Sequence, residues 1–421
     1  MSFYSSLQQQ NISRINKSNS MKTKTGLVFL FLLSVIMMNG QNNKKRKYLR
    51  KVLSNLEQIK STTYDECTTA WEPGDTVPLF TRTHYIEEYD NPHDTTIGAT
   101  YVEYDNILEK KVFLWGYDGN IDAYAYHENK GVLIDDFSSN KHPFRPLTPP
   151  FFNYAKSVIR YALTTSDSII TDLKDIGDAY HFRMEIHENQ QIEFFGKDYH
   201  LTNPYDPNPV SIYELWINKE NDLPYKKRRE TSQGTSVEVC SNVEINKLSI
   251  ENFSLYDYFP LDYEIRKRGE QGKKQSKPSL VGAQAPDWTL RDINEQDVSL
   301  AGFKSKVLLI NFTGVGCGPC KMAIPFLNGL KNQFKKEELE VVAIESWKRK
   351  IHSIQNYINT NRINYKLLEG NDKVIQNYLD GNRGVPYYFI LDENRVIKKI
   401  IYGYGKGTTD KEITDAIKEL L

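Results

Sequence analysis

Two cysteines separated by Gly318 and Pro319 stand where a continuous apolar run gives way to an amphipathic pattern, and no other feature restricts the fold of this chain as strongly. Residues 307–312, Val-Leu-Leu-Ile-Asn-Phe, contain one polar member, which suits a central strand buried on both faces. They lead through Gly314-Val315-Gly316 into Cys317-Gly318-Pro319-Cys320. Beyond lie Met322, Ile324, Phe326, Leu327, Leu330 and Phe334, whose spacing predicts a helix with Pro325 kinking it from within. The first turn of a helix has amide N–H groups without intrahelical partners and carries the positive end of the dipole. A sulfur placed there is favoured as its thiolate. Cys317 is therefore expected to attack a disulfide, and Cys320, one turn further in, to resolve the mixed disulfide that results.

The surrounding residues sharpen this expectation. The chain enters the region through Val281-Gly282-Ala283-Gln284-Ala285-Pro286-Asp287-Trp288-Thr289-Leu290. After the cysteines come Val385-Pro386 and a strand at 387–391. The turn Asp392-Glu393-Asn394, a strand at 396–402 and a helix from Asp410 follow. With Asn311-Phe312, these residues resemble the thioredoxin superfamily, and more narrowly the TlpA/ResA-like thiol–disulfide oxidoreductases, over about the last third of the chain. The resemblance implies an α/β thioredoxin-like domain at residues 279–421. It implies a cis Pro386 against the Cys317 sulfur, cis bonds being largely confined to proline. It further implies a substrate loop of Gly316, Gly318, Pro319 and Val385, and a redox-active Cys317–Cys320 disulfide with no bound cofactor. Three positions depart from the family. Gly316 stands where tryptophan is usual, Ala323 where several members carry an acidic residue, and Asn311 where cytosolic thioredoxins bury an aspartate.

Residues 44–265 read as a separate α+β unit, mainly antiparallel sheet. Leu49, Val52, Leu53, Leu56 and Ile59 have helical spacing, and residues 151–163 are a second helix candidate. Asp118-Gly119 between apolar runs is a hairpin signal. Phe182, Met184 and Ile186 alternate with His181, Arg183, Glu185 and His187. The alternation predicts a strand with a solvated polar face rather than a metal site. The order of elements, with Tyr213-Glu214-Leu215-Trp216-Ile217 leading to Leu223-Pro224, is similar to the half-barrel of lipoprotein carriers. That likeness implies a concave face for a lipid or lipoprotein, or else a filled structural sheet. Residues 266–278 lack apolar side chains and read as a linker.

Compartment and partners follow from the N-terminus and the charge. Lys22 and Lys24 precede an apolar run at 27–38, too short to span a bilayer with ease, so residues 21–40 are expected to be a signal peptide starting at Met21. Cleavage near Gly40 and an uncleaved membrane tether both stay open. Either places the chain in the periplasm or cell envelope. Lys plus Arg and Asp plus Glu balance at 54 each, so no basic field for nucleic acid exists. The expected partners are disulfide-containing exported proteins and a membrane electron donor. Cys67 and Cys240 complete the four cysteines, and in an exported chain they suggest a structural disulfide, with two unpaired thiols as the alternative. Cys240 shares a strand face with Glu238, Asn242 and Glu244, which argues against a core position. Zinc would need four ligands, and no second pair exists at such spacing. A peroxidase, with antioxidant activity, is a weaker alternative, since its family's proline and threonine positions hold Ile310 and Gly314. A binding protein with a modulatory redox pair is the other. The unit from near residue 278 is expected to carry the chemistry alone, leaving recognition to the N-terminal sheet.

Overall fold

The computed structural model describes residues 43–107, 110–138, 147–202, 209–232, 234–250, 253–268, 280–381 and 383–421. The expected signal peptide lies outside the described residues, as does most of the expected linker.

Helix α1 runs through residues 43–57 and buries Leu49, Val52 and Leu56 along one face. Strands β1 (Ser61–Trp71), β2 (Phe80–Asp90), β3 (Ala99–Ile107), β4 (Lys110–Tyr117), β5 (Asp122–Tyr126) and β6 (Gly131–Asp135) form an antiparallel meander. Helix α2 (Phe151–Thr164) follows. Then come β7 (Ile169–Asp175), β8 (Ala179–Ile186) and a small hairpin of β9 (Gln191–Phe194) and β10 (Asp198–Leu201). Strands β11 (Ser211–Asn218), β12 (Leu223–Thr231) and β13 (Gly234–Ile245) return the chain to β1, and β14 (Glu264–Lys267) pairs with β6. The result is one twelve-stranded sheet in the order β14-β6-β5-β4-β3-β2-β1-β13-β12-β11-β8-β7.

Local chemistry explains these elements. Asp118 accepts hydrogen bonds from the amides of Asn120 and Ile121, and Gly119 adopts φ +93°, so the predicted hairpin forms between β4 and β5. Phe182, Met184 and Ile186 turn together into the core beneath α2. That helix begins on Glu88 of β2, whose carboxylate accepts from the amides of Phe152 (3.1 Å) and Asn153 (2.7 Å). The Tyr64 hydroxyl donates to Glu88 and accepts from Phe151. Amides that the helix leaves unpaired are thus satisfied from the sheet. Both helices lie on one face of the sheet, where Phe151, Val158, Ile159, Tyr213 and Ile217 are fully buried beside α1.

Two expectations are corrected here. Arg266 and Lys267 do not begin the linker: they pair in parallel with Leu133 and Ile134 as part of β14. Their backbones satisfy the open edge of β6, while Lys267 and Arg268 reach Asp136 and Asp135. Cys67 and Cys240 are not bridged. Cys67 lies opposite Val239, and Cys240 opposite Glu66, so the two thiols point to opposite faces of the sheet. Cys240 is also a core residue, 6% exposed. Cys240 and Glu238 face inward, where Lys227 of β12 bridges Glu238 and lies 4.2 Å from the Tyr154 ring of α2, while a bulge at Asn242, φ +54°, leaves Asn242 and Glu244 exposed.

The C-terminal third contains β15 (Thr289–Arg291), β16 (Asp297–Ser299), β17 (Val307–Thr313), α3 (Gly318–Gln333) and β18 (Leu339–Glu345). It continues with α4 (Ile351–Asn361), β19 (Lys366–Glu369), α5 (Asp372–Leu379), β20 (Tyr387–Leu391), β21 (Ile397–Tyr402) and α6 (Thr408–Lys418). The seven strands run in the order β16-β15-β19-β18-β17-β20-β21. β17 is parallel to β18 and antiparallel to β20, and every one of its residues is buried. Helices α3, α4 and α6 cover one face of this sheet and α5 the other. A central strand with cover on both sides accounts for the continuous apolar run.

Candidate active site

The chain leaves β17 at Thr313 and reaches α3 through Gly314-Val315-Gly316. Gly316 takes φ +85°, a conformation that suits glycine. Cys317 is the N-cap of α3, and the Cys320 amide donates to its sulfur at 3.2 Å. The two cysteines are disulfide-linked with Cα atoms 5.2 Å apart. Gly318 and Pro319 open the helix, where a proline lacks no needed hydrogen bond, and Pro325 lies inside it. The Val385–Pro386 bond is cis, and the Val385 carbonyl oxygen is 3.8 Å from the Cys317 sulfur. Gly316, Cys317, Gly318, Pro319, Cys320, Val385 and Pro386 therefore meet in one place. Cys67 and Cys240 lie on β1 and β13 of the other sheet and do not join them.

Several residues that sequence reasoning did not single out build the surroundings. The Trp347 indole covers Gly314 so closely that a Cβ there would come within 2.6 Å of the ring. Trp347 is held by its own N–H, which donates to the Arg383 carbonyl at 2.7 Å. Glu345, at the end of β18, is fully buried and accepts from the amides of Trp347 and Arg349, each at 3.0 Å, and of Val315. Burial lifts its carboxyl above the usual range, against the pull of those amides and the Arg349 charge. Position gave a usable signal for this group. Glu345-Ser346-Trp347 follows directly on a strand parallel to β17, and sites gather at the carboxyl ends of such strands.

The N-terminal unit also reaches the site. The turn after β1 presents Glu72 to Arg349, with a 2.9 Å ion pair, and Asp75 to the Ser353 hydroxyl at 2.6 Å. The Asn356 amide donates to the Pro73 carbonyl at 3.3 Å. Burial raises the Glu72 carboxyl, Arg349 opposes the shift, and Asp75 and Glu345 add to it. Nothing in the sequence marks Glu72, because the contact spans two sheets. Between this turn and α4 lies a cleft of about 310 Å³ that opens on Cys317 and Pro319.

Such a site can exchange disulfides. One sulfur stands at the end of a helix and on a cleft, the second is one turn behind it, and a backbone carbonyl flanks the first. Comparison with known proteins agrees over the same stretch. The AhpC/TSA family model matches residues 281–400. The thiol-disulfide oxidoreductase ResA of Geobacillus thermodenitrificans is 27% identical over 139 residues, which is 33% of this chain and 78% of that protein.

The C-terminal third is a thioredoxin-like thiol–disulfide oxidoreductase.

ResA of Bacillus subtilis is likewise 27% identical to this oxidoreductase third, over 119 residues that make up 28% of this chain and 66% of the relative. Among solved structures, the thioredoxin domain of a thiol-disulfide oxidoreductase from Bacteroides vulgatus aligns over 34% of the chain and 98% of its own length. Its identity is 23% and its TM-score 0.29. A thiol:disulfide interchange protein from Bacteroides sp. aligns over 33% and 90%, with 21% identity and a TM-score of 0.29. These matches take in the oxidoreductase third and leave the twelve-stranded sheet aside. Among the described residues no group of three or more His, Cys, Asp or Glu is placed to hold a metal, and no helix is long and apolar enough to cross a membrane.

Proposed function

We propose that the protein reduces or exchanges disulfides of exported proteins in the periplasm or cell envelope, drawing its electrons from a membrane donor. The observation that carries this reading is Cys317 capping α3 at the mouth of the cleft, with Cys320 bonded behind it. In the reduced protein the Cys317 thiolate attacks one sulfur of a client disulfide. The client S–S bond breaks, and its other sulfur leaves as a thiolate that takes up a proton. Cys320, deprotonated, then attacks Cys317 and releases the second client thiol. The client has gained two electrons and two protons, and the Cys317–Cys320 disulfide awaits re-reduction by the donor. The glycine and proline between the cysteines favour reduction over oxidation. The apolar run at 27–38 behind Lys22 and Lys24 supports export.

The test uses the full chain, pre-reduced, mixed with insulin and with a mixture of exported proteins. Thiol release from both, and mixed disulfides trapped by Cys320→Ser, are the expected results. If insulin is untouched and no mixed disulfide accumulates, the reading fails, and a binding role for the N-terminal sheet takes its place.

A further inference from the structure

The cleft over Cys317 is built from both halves of the chain. One wall is the redox loop with α4 from Ser353 to Asn361, and the opposite wall includes Glu72 and Pro73. The Glu72–Arg349 pair uses one carboxylate oxygen, Oε1. The other, Oε2, faces Gly316, where a Cβ would come within 2.6 Å of it. Gly316 thus leaves the space that this carboxylate occupies, immediately before the attacking cysteine. Of the carboxylates near Arg349, only Glu72 lines the cleft, so the negative charge on this wall is its own. Lys321 on α3 is a cation lining the same cleft, and it pulls the opposite way.

We propose that Glu72 is a specificity-determining residue of the redox site. Supplied by the N-terminal sheet, it closes the flank of Gly316 and favours disulfides that carry positive charge beside the sulfur under attack. The assignment rests on the exchange reaction proposed above. A client sulfur approaching Cys317 along the cleft brings its neighbouring groups against this carboxylate. A cation there gains an attraction that an anion loses. The effect is larger at a half-closed wall than in open water, because the effective dielectric is lower.

Three small disulfides of similar size make the test: cystamine, hydroxyethyl disulfide and dithiodiglycolate, which are cationic, neutral and anionic. Each oxidises the pre-reduced full chain to its Cys317–Cys320 disulfide and is itself cleaved to two thiols. Second-order rate constants at pH 8 come from rapid quenching and thiol alkylation, for wild type, Glu72→Gln and Glu72→Asp. The ratio of the cystamine to the dithiodiglycolate constant is expected to exceed one in wild type. In Glu72→Gln it should fall by roughly fivefold or more. Glu72→Asp keeps the charge and is expected to keep most of the preference, which separates charge from loss of fold. An unchanged ratio, a wild type that prefers the anion, or an equal loss on all three disulfides would overturn the assignment. Failure of wild type to react with any of the three would sink the exchange reaction itself, a distinct result.

Discussion

The amide of Cys320 points at the sulfur of Cys317 across 3.2 Å, so the first cysteine is the cap of the helix that carries the second. A thiolate on Cys317 would keep that donor and gain the helix dipole, whereas Cys320 has neither the cap position nor a place on the cleft. Cys317→Ser should abolish disulfide exchange, and Cys320→Ser should accumulate a mixed disulfide with substrate. Alkylation of the reduced protein at pH 7 followed by mass spectrometry checks the assignment: modification of Cys320 ahead of Cys317 would reverse it.

Gly314 has an equally specific neighbour. The Trp347 ring lies over it and is fixed by its hydrogen bond to Arg383, so it cannot swing aside freely. Gly314→Ala should force the ring and the loop apart and cost about 1–3 kcal/mol, in the range of overpacked interiors. Urea unfolding measures the loss. Trp347→Ala in the same background should recover part of it, and no recovery would show that the clash lies elsewhere.

Asn311 donates to the carbonyls of Tyr387 and Phe312 at 3.2 Å and is 2% exposed. Asn311→Asp would set a carboxylate against two carbonyl oxygens in the core. The aspartic acid should hold its proton, so its folded pKa would lie above the unfolded value near 3.9. The unfolded chain then releases that proton first, and stability of the variant relative to wild type falls as pH rises from about 4 through the raised folded value. Parallel urea titrations from pH 4 to 8 test the sign. A variant penalty that shrinks with rising pH would contradict it.

Glu88 makes the same kind of linkage in the wild-type protein. Burial pushes its carboxyl up to about 6, although two helix amides, Tyr64 and Lys156 all favour the charged form. Between its unfolded value near 4.5 and about 6, the folded state keeps a proton that the unfolded state has lost. Stability contributed by this group is therefore highest below that window and declines across it, by about 2 kcal/mol. Glu88→Gln should flatten this part of the pH profile relative to wild type. An unaltered slope between pH 4.5 and 6 would rule the group out.

The interior charge on β12 gives a second test outside the redox third. Lys227 bridges Glu238 and is close to Glu66 beneath the rings of α2. Lys227→Met would leave two partly buried carboxylates without their cation, a loss of about 3 kcal/mol. Guanidinium unfolding reports it, and a neutral result would mean that water or protonation replaces the lysine.

What could be read from the sequence was what short-range pattern controls. The apolar run of β17, the turn into Cys317, the helix beyond it and the Val385–Pro386 bond each leave a local mark. So do the alternation of β8 and the Asp118-Gly119 turn. Cys240 was misread because a bulge at Asn242 breaks the alternation that grouped it with Glu244, and because Glu238 can face inward when Lys227 pairs with it. The start of the linker was misread for a related reason. Arg266 and Lys267 have exposed side chains, but their backbones complete an edge, and composition reports only the former. Glu72 left no local trace at all.

The turn that carries Glu72 has little freedom of its own. β1 is paired to β13 as far as Trp71 and to β2 as far as Ala70, so Glu72 projects directly from the middle of the large sheet. A mouth framed in this way takes its width from where the two sheets stand, because the carboxylate beside Gly316 sits at the end of a paired strand. The large sheet is thus a jig that sets the gauge of the redox pocket.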